Sequence, residues 1–476
     1  MDNTLIIGAG KACRLLLKNS AITKRFPIVG VLDDSHPKGM VLAKRYPILG
    51  TLSEIEDIIT THKVKTVVIA LPSERGITIR KVLLSLRNHS YIEIYIIPRL
   101  PEVIIRNSIT LDEIKKIEPI DLIGGRINLA NQTSLMEHIR GKTILITGAG
   151  GFIGCELSRQ ISLGKPKKMI LIDNSEKNLF YLQYVLSLIR PSNPETKIDY
   201  VLGDINNEAL MKRIYESSHI HTVFHAAAYK HVPLLEDQIY EAVSNNVHAT
   251  YTVARLASYH KVKRFILIST DKAVKPDSVM GTTKCIAEHI MHHFDSISTT
   301  IFTSVRFGNV FNSSGSVIEL FLKQIERDEK LTITNPDMER FFMSVSEAVH
   351  LVLNAWKHAQ KKTTYMFEMG SSVPIVELAN CLLVMHHKQA DYPVALIGNR
   401  KGEKIHEQLW NPETEIKMHH VYDQVFALQR KGSFDQNYFI RHLNILMKCL
   451  DEDHVRNHSP YGTQKLRRML KKILHV

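Results

Sequence analysis

The sequence predicts an α/β protein with two doubly wound parallel sheets in tandem. Three observations predict it. A strand-like run, a glycine-rich turn and a helix follow one another twice, at 4–18 and at 143–163. Each opening leads into short apolar runs that alternate with helical segments, the pattern of parallel strands joined by crossovers. At 476 residues, 44% hydrophobic and 23% charged, the chain is globular and too long for one ordinary domain.

The first turn, Gly8-Ala-Gly10-Lys-Ala12, opens a helix at 11–18, and strands follow at 28–32, 65–70 and 92–97, with a helix at 74–87. Residues 1–105 are therefore a small α/β domain. The third small position is Ala12, followed by Cys13, which is not a full nucleotide fingerprint, so a docking or regulatory role is preferred, although Asp33-Asp34 ends the next strand as a ribose partner would. Pro98, Pro101, Pro119 and Gly124-Gly125 mark a connector, 106–140, with a helix at 134–140. The second domain, 141–410, has strands at 169–173, 197–202, 222–225, 264–269 and 300–306. Its helices fall at 176–190, 207–217, 236–260 and 278–295. Past Arg306 the alternation loosens, which predicts an added substrate lobe from the 300s and 360–410. The remainder, 411–476, is a basic, histidine-rich extension ending in apolar residues at helical spacing over 465–474. A helix docked on the protein is preferred there to a weak membrane-surface contact.

A net charge of +13 favours acidic partners such as phosphorylated small molecules. Zinc-finger spacing and RNA-binding aromatic motifs do not occur, so nucleic acid is the weakest option. Five scattered cysteines without a Cys-x-x-Cys pair argue against a disulfide framework, and the histidines form no metal-binding pattern, so no metal is expected. No signal peptide opens the chain, and no run of about 18 apolar residues occurs, so a cytoplasmic location is expected.

The strongest cofactor signal is Gly148-x-x-Gly151-x-x-Gly154, after a strand and opening a helix. Glycines let backbone approach a pyrophosphate, and the helix N-terminus favours its charge. Asp173 ends the next strand, 19 residues after Gly154. A carboxylate there accepts from both ribose hydroxyls and repels a 2′-phosphate, favouring NAD over NADP. Asp204 ends the third strand, within reach of an adenine amine.

The 148–154 spacing resembles the extended short-chain dehydrogenase/reductase superfamily. Further motifs narrow it: 225–236 (His-Ala-Ala-Ala-Tyr-Lys-His-Val-Pro-Leu-Leu-Glu), Ser269-Thr-Asp-Lys-Ala-Val-Lys-Pro276, Val279-Met-Gly-Thr-Thr-Lys284, Arg306-Phe-Gly-Asn-Val310, Ser313-Ser-Gly-Ser-Val317, 335–343 and Arg400-Lys-Gly-Glu-Lys404. Together they resemble the bacterial UDP-N-acetylglucosamine 4,6-dehydratases of surface-polysaccharide pathways, over nearly all of 1–410. Longer members of that family carry a transmembrane bundle before the first domain. Without one, this chain is expected to be a soluble or truncated variant, and membrane attachment, inner-membrane peripheral contact included, is not inherited.

The resemblance implies that hydride leaves carbon 4 of the sugar for NAD, water is eliminated across carbons 5 and 6, and the hydride returns to carbon 6. It assigns Asp271 as the acid for the departing 6-hydroxyl and Lys272 as the base for the carbon 5 proton. A lysine base must be neutral, so a lowered pKa is expected, with Lys284 the candidate cation. Lys284 would also bind the nicotinamide ribose. Phe152, Ile153, Ile205, Ala226, Ala227 and Ala228 would complete the cofactor site. Most of the superfamily has Tyr-x-x-x-Lys; here Met280 takes the tyrosine's place, as in the membrane-type branch. The base for the 4-hydroxyl is then either Asp271 or a water held by Thr270. Arg340, Arg400 and Glu403 would bind the nucleotide diphosphate, uracil and ribose of UDP-N-acetylglucosamine, with Asn309 and Ser316 as further contacts. Lys230 and His231 would line the sugar pocket. A homodimer through the helices at 236–260 and 278–295 is the expected assembly. Two alternatives stay open: a nucleotide-sugar epimerase, and a non-catalytic NAD- and nucleotide-sugar-binding regulator.

Overall fold

The computed structural model describes residues 2–72, 76–97, 108–123, 132–189, 196–422, 425–432, 435–452, 455 and 459–474. The proline and glycine calls at Pro98, Pro101 and Gly124-Gly125 lie outside them. The chain divides into two compact units, Met1–Arg126 with Gly315–Met338 and Val373–Gly398, and Ile127–Ser314 with Glu339–Ser372 and Asn399–Val476.

In the first unit the strands are β1 (Asn3–Ile7), β2 (Ile28–Leu32), β3 (Val41–Leu42), β4 (Tyr46–Gly50), β5 (Val64–Ile69), β6 (Glu93–Ile96) and β7 (Lys115–Lys116), in the order β3-β4-β2-β1-β5-β6-β7. The central pairs β2-β1, β1-β5 and β5-β6 are parallel, as apolar strands covered on both faces require. Helix α1 (Lys11–Lys18) follows β1, and α2 (Gly76–Ser85) lies between β5 and β6. The later segments belong here through helix packing. Arg80 of α2, 4% exposed, donates from Nε to Glu377 Oε1 at 2.7 Å, on the helix Ile375–Met385, and from Nη1 to the Leu122 carbonyl at 2.8 Å.

In the second unit the strands of the main sheet are β8 (Thr143–Thr147), β9 (Lys168–Asp173), β10 (Lys197–Leu202), β11 (Thr222–His225), β12 (Arg264–Ile268), β13 (Ile301–Arg306), β14 (Thr364–Phe367), β15 (Glu415–Tyr422) and β16 (Val425–Arg430). Their order is β10-β9-β8-β11-β12-β13-β14-β16-β15. All pairs from β10 to β14 are parallel. Side chains of successive strand residues go to opposite faces, so Phe265 and Leu267 join one buried cluster while Ile266 and Ile268 join the other. The register sets Thr147, His225 and Leu267 side by side, so the loops after β8, β11 and β12 leave the sheet at one edge. In open parallel sheets that carboxyl edge is where ligands bind.

Three features differ from the sequence reading. The helix expected at 236–260 is broken into Val232–Asp237, Ile239–Val243, a π-turn at Ser244–His248 and α4 (Ala249–Tyr259). Gln238, with φ −110° and ψ 55°, interrupts it. The wide turn lets Asn246 bond both backbone groups of Tyr229, accepting from N–H at 2.8 Å and donating to the carbonyl at 3.0 Å. Second, residues 415–430 are no appendage: β16 pairs antiparallel with β14, and β15 with β16, inside the main sheet. Third, the basic tail forms α7 (Gln436–Cys449) and α8 (Pro460–Ile473). Leu466, Leu470 and Ile473 of α8 are buried in the same cluster as Ile286 and Ile290 of α5 (Val279–Ile297). The apolar side that a membrane contact would use is spent on the protein, and Arg467 pairs with the buried Glu236 at 2.9 Å. Before Ser296, α5 has no exposed residue, although it is one of the two helices expected to meet a partner. Leu470→Ala is expected to cost about 2–5 kcal/mol, read as a lower urea midpoint. Helix α6 (Val345–Lys357) closes the opposite face through Trp356, which donates from its ring to Thr222 Oγ1 at 3.0 Å.

Candidate active site

The turn after β8 leads into α3 (Phe152–Leu163), whose N-cap is Gly151. Gly148 has φ +64°, and a Cβ there would stand 2.6 Å from the Ala227 backbone nitrogen. A Cβ on Gly154 would collide with the Gly148 carbonyl oxygen. The glycines therefore let the turn close against the 226–228 segment, and Ala226 ties back to the sheet through its N–H on the Thr147 carbonyl at 3.1 Å. No side chain caps α3, so its first N–H groups face outward from the turn, as a pyrophosphate cradle requires. Phe152 is exposed and Ile153 packs on the core.

Asp173, 8% exposed, accepts from Gly150 N–H on Oδ2 and from Ser175 N–H on Oδ1, both at 2.9 Å. It fixes the glycine turn and keeps one lone pair per oxygen for a ribose. The first unit repeats the device: Asp33 accepts from Ala9 N–H at 2.7 Å and Ser35 N–H at 2.9 Å. There His36 also bonds Oδ1 at 2.7 Å. Burial acts to raise the Asp33 pKa, but these bonds outweigh it and lower it. Asp204 is exposed, with Oδ1 accepting from Asn206 N–H at 2.8 Å, and Ile205 beside it is buried.

The chemistry-bearing cluster lies just past β12. Asp271 is 1% exposed. Its Oδ1 accepts from Thr270 Oγ1 at 2.8 Å and from Lys272 Nζ at 3.2 Å, while Oδ2 accepts no hydrogen bond from the described residues. Lys272 Nζ also lies 2.7 Å from Glu407 Oε1 and 3.2 Å from Asn309 Oδ1. Asn309 Nδ2 donates to Glu407 Oε2 at 3.0 Å, closing a ring of three side chains. Burial raises the Asp271 pKa to about 7, the Glu407 anion adding to it and Lys272 opposing. Burial works against ionised Glu407 as well, but Lys272 and Arg340 prevail and hold it well below the usual carboxylate range. Lys272 bridges the two carboxylates, and a proton on Asp271 removes their remaining repulsion by letting it donate to Glu407.

Lys272 departs from expectation. Burial pulls its pKa down, but Asp271 and Glu407 raise it above the ordinary lysine value, so the resting side chain is an ammonium. The cation that opposes this is Arg340, not Lys284. Lys284 is buried and donates to the Ile268 carbonyl at 2.6 Å, and burial lowers its pKa to about 8 against the pull of Glu288. Met280 is 3% exposed and lies in the apolar cluster with Val279 and Ile286.

The substrate candidates separate. Arg340 is not free to fork onto a diphosphate in this structure. Nε lies 3.3 Å from Glu407, and its Nη atoms donate to the carbonyls of Glu339, Ile405 and Lys404 at 2.8, 3.0 and 2.7 Å. Its Nη atoms thus hold two carbonyls of the segment that carries Glu407, and Nε faces the Glu407 carboxylate. Asn309 is likewise engaged. Arg400, Lys230 and His231 are exposed, and Glu403 Oε2 accepts from Arg400 N–H at 3.2 Å, bracing that turn. Ser316 caps the helix Val317–Glu326 in the first unit. Glu407 is the residue that sequence reasoning missed; it stands three positions past the Arg400–Lys404 motif, with no spacing that marks it.

A parallel sheet whose first strand ends in this glycine turn, with an acid–lysine pair at the same edge two strands away, is the extended short-chain dehydrogenase/reductase architecture. The chain belongs to the polysaccharide biosynthesis protein family, which it matches over residues 144–430, while residues 3–98 match the CoA-binding domain family. It is 34% identical over 466 residues to the capsular polysaccharide biosynthesis protein CapD of Staphylococcus aureus, covering 96% of this chain and 75% of that protein. It is 35% identical over 290 residues to a UDP-glucose 4-epimerase of Rickettsia canadensis, covering 59% of this chain and 81% of that one. Among solved structures, Pen from Bacillus thuringiensis superposes with a TM-score of 0.55 at 29% identity, covering 65% of this chain and 99% of that chain. Among the described residues, no helix is long and apolar enough to cross a membrane.

Proposed function

We propose that this chain is a nucleotide-sugar 4,6-dehydratase that holds NAD and converts UDP-N-acetylglucosamine to a UDP-4-keto-6-deoxy sugar. One observation carries the reading: a buried carboxyl, Asp271, whose ionisation burial opposes, lies 3.2 Å from the Lys272 amine at the sheet edge where the glycine turn lies. An acid and a base side by side are what elimination of water across two adjacent carbons needs.

NAD, when bound, supplies a reversible hydride acceptor for the sugar. The Gly148–Gly154 turn and the α3 N-terminus would hold its pyrophosphate, Asp173 the adenosine ribose and Lys284 the nicotinamide ribose. Asp271 gives its proton to the departing 6-hydroxyl. Lys272 takes the carbon 5 proton, which the neighbouring ketone has made acidic. The ammonium form of Lys272 is not an obstacle in principle. Moving one proton from Nζ to the Asp271 carboxylate, 3.2 Å away, leaves a neutral base beside a protonated acid with no change in total charge. Exposed Arg400 and His231 would contact the UDP-sugar, with Lys230 beside them.

The epimerase-named relative motivates a second reading. Epimerisation at carbon 4 does not need the Asp271–Lys272 pair and does need a base where Met280 stands. Mass spectrometry of UDP-N-acetylglucosamine after incubation with the purified chain separates the readings. Loss of one water supports dehydration, an isomer of unchanged mass supports epimerisation, and no reaction with bound dinucleotide supports a regulator. Gly154→Ala is expected to empty the cofactor site, because its Cβ forces the turn open. Chromatography of the nucleotide released on denaturation should then show at least about tenfold less NAD per chain than wild type; full retention would contradict the turn's assignment.

A further inference from the structure

We infer that Glu407 is a positioning residue of the reaction, fixing the Lys272 amine in a closed ring with Asn309 and linking it to the Arg340 anchor. The inference rests on the acid–base reading of Asp271 and Lys272 and adds a residue that reading does not require.

Lys272 is a long side chain with several rotatable bonds, and its stem is only partly covered, 24% of the side chain being exposed. Left alone, such an amine samples many positions. Here it is held from three directions: Asp271 Oδ1 at 3.2 Å, Asn309 Oδ1 at 3.2 Å and Glu407 Oε1 at 2.7 Å. Glu407 makes the shortest contact and has the most rigid support. Its side chain is 2% exposed, Oε2 accepts from Asn309, and Arg340 lies 3.3 Å from Oε1 while bonding the carbonyls of residues 404 and 405. Lys404 Nζ donates to the Val274 carbonyl at 2.8 Å, tying the same segment to the loop that carries Asp271 and Lys272. The charged groups facing Glu407 are Asp271 and Lys272 from that loop and Arg340 from the 339–340 strand. A buried anion with this support is an anchor whose removal frees the amine, while the backbone bonds of Arg340 keep the segment in place.

The geometry also separates Glu407 from a general stabilising ion pair. Glu407→Gln keeps the length and hydrogen-bonding capacity of the side chain but removes the charge that holds the ammonium. Glu407→Asp keeps the charge and shortens the reach. For UDP-N-acetylglucosamine dehydration, Glu407→Gln is expected to lower kcat about 100-fold with KM little changed. The limb of the pH profile that reports Lys272 should move to lower pH, because the ammonium has lost its nearest anion. Glu407→Asp should recover part of kcat and return the limb toward wild type. A Gln variant with wild-type kcat and limbs would overturn the inference. So would a loss of kcat that follows the folded fraction alone.

A second measurement does not depend on turnover. Acetic anhydride labels only the neutral amine, and peptide mass spectrometry reports labelling at Lys272 as a function of pH. In Glu407→Gln the Lys272 labelling curve should shift to lower pH, with the curve for exposed Lys401 unchanged as internal reference. An unshifted Lys272 curve would overturn the anchor whatever the activity. A shifted curve in a chain whose wild type forms no keto sugar would uphold the anchor and remove the dehydratase reading instead.

Discussion

Asp271→Asn is expected to lower keto-sugar formation by about 10²–10⁴-fold, with bound dinucleotide and the UDP-sugar KM little changed. Asparagine keeps the shape and the Thr270 contact but has no proton to give. The pH dependence supplies a sharper test. The active form has one proton fewer than the fully protonated Asp271–Lys272 pair, and burial and Glu407 place the loss of that proton near pH 7, so activity should rise as pH rises through neutrality. That ascending limb should be present in wild type and absent from whatever residual rate the variant shows. Stability should move the other way. A carboxyl whose folded pKa exceeds its unfolded value contributes stability that is complete below about pH 4 and lost as pH rises through about 7. Above pH 7 the wild type therefore carries an ionised, buried Asp271 that the variant lacks. The variant should be at least as stable there, as is common when a group is kept for chemistry rather than for folding. Keto-sugar formation within a few-fold of wild type, with the limb intact, would take the acid role from Asp271.

Much of this site was legible in the sequence because it is local. Gly148, Gly151 and Gly154 share one turn, Asp173 ends the adjoining strand, and Thr270, Asp271 and Lys272 are consecutive, so spacing and strand order alone put them at one edge of the sheet. The parallel strands were legible for the same reason: runs such as Thr143–Thr147 and Arg264–Ile268 are apolar on both faces and read as buried. What escaped is what several distant stretches make together. Beside the adjacent Asp271, Glu407 holds Lys272 in its ammonium form against burial and Arg340, and nothing in the local sequence around residue 272 announces an anion arriving from position 407. Arg340 looked like a diphosphate clamp because arginine suits that task; the carbonyls of residues 339, 404 and 405 claim it first. The hairpin at 415–430 was hidden by composition. Lys417, His419 and His420 give the stretch a surface character, while its place in the sheet depends on pairing with Thr364–Phe367. The wide turn at Ser244–His248 goes with Asn246 holding the Tyr229 backbone, again a tertiary contact.

Arg306→Met is expected to cost about 3–5 kcal/mol and to lower the unfolding midpoint of the second unit by roughly 10 °C. Arg306, at the end of β13, forks onto Glu288 of α5 through Nε at 2.8 Å and Nη2 at 2.6 Å. Its Nη1 lies 2.7 Å from Glu415 of β15, an ion pair without hydrogen-bond geometry. Ser269 Oγ donates to Glu288 at 2.6 Å, so the fork also supports the strand end that presents Thr270 and Asp271. All three charges are largely buried. Burial alone would raise the Glu288 pKa; Arg306 reverses this and lowers it. A carboxylate with a depressed folded pKa contributes stability that is complete above its unfolded value and disappears as pH falls through the folded one. Wild type should therefore lose stability as pH falls below about 4. In the variant Glu288 keeps its burial and loses its cation, so its folded pKa moves above the unfolded one and the sign inverts. The gap between wild type and variant should be widest above neutrality and should shrink as the medium is acidified to about pH 4. Adding Glu288→Gln to Arg306→Met should recover part of the loss, because it removes the uncompensated buried charge, and the recovery measures the coupling between the two. A pH-independent gap, or a double variant whose loss equals the sum of the singles, would mean that Arg306 acts through packing and that the charge pair is incidental to the support of the Asp271 loop.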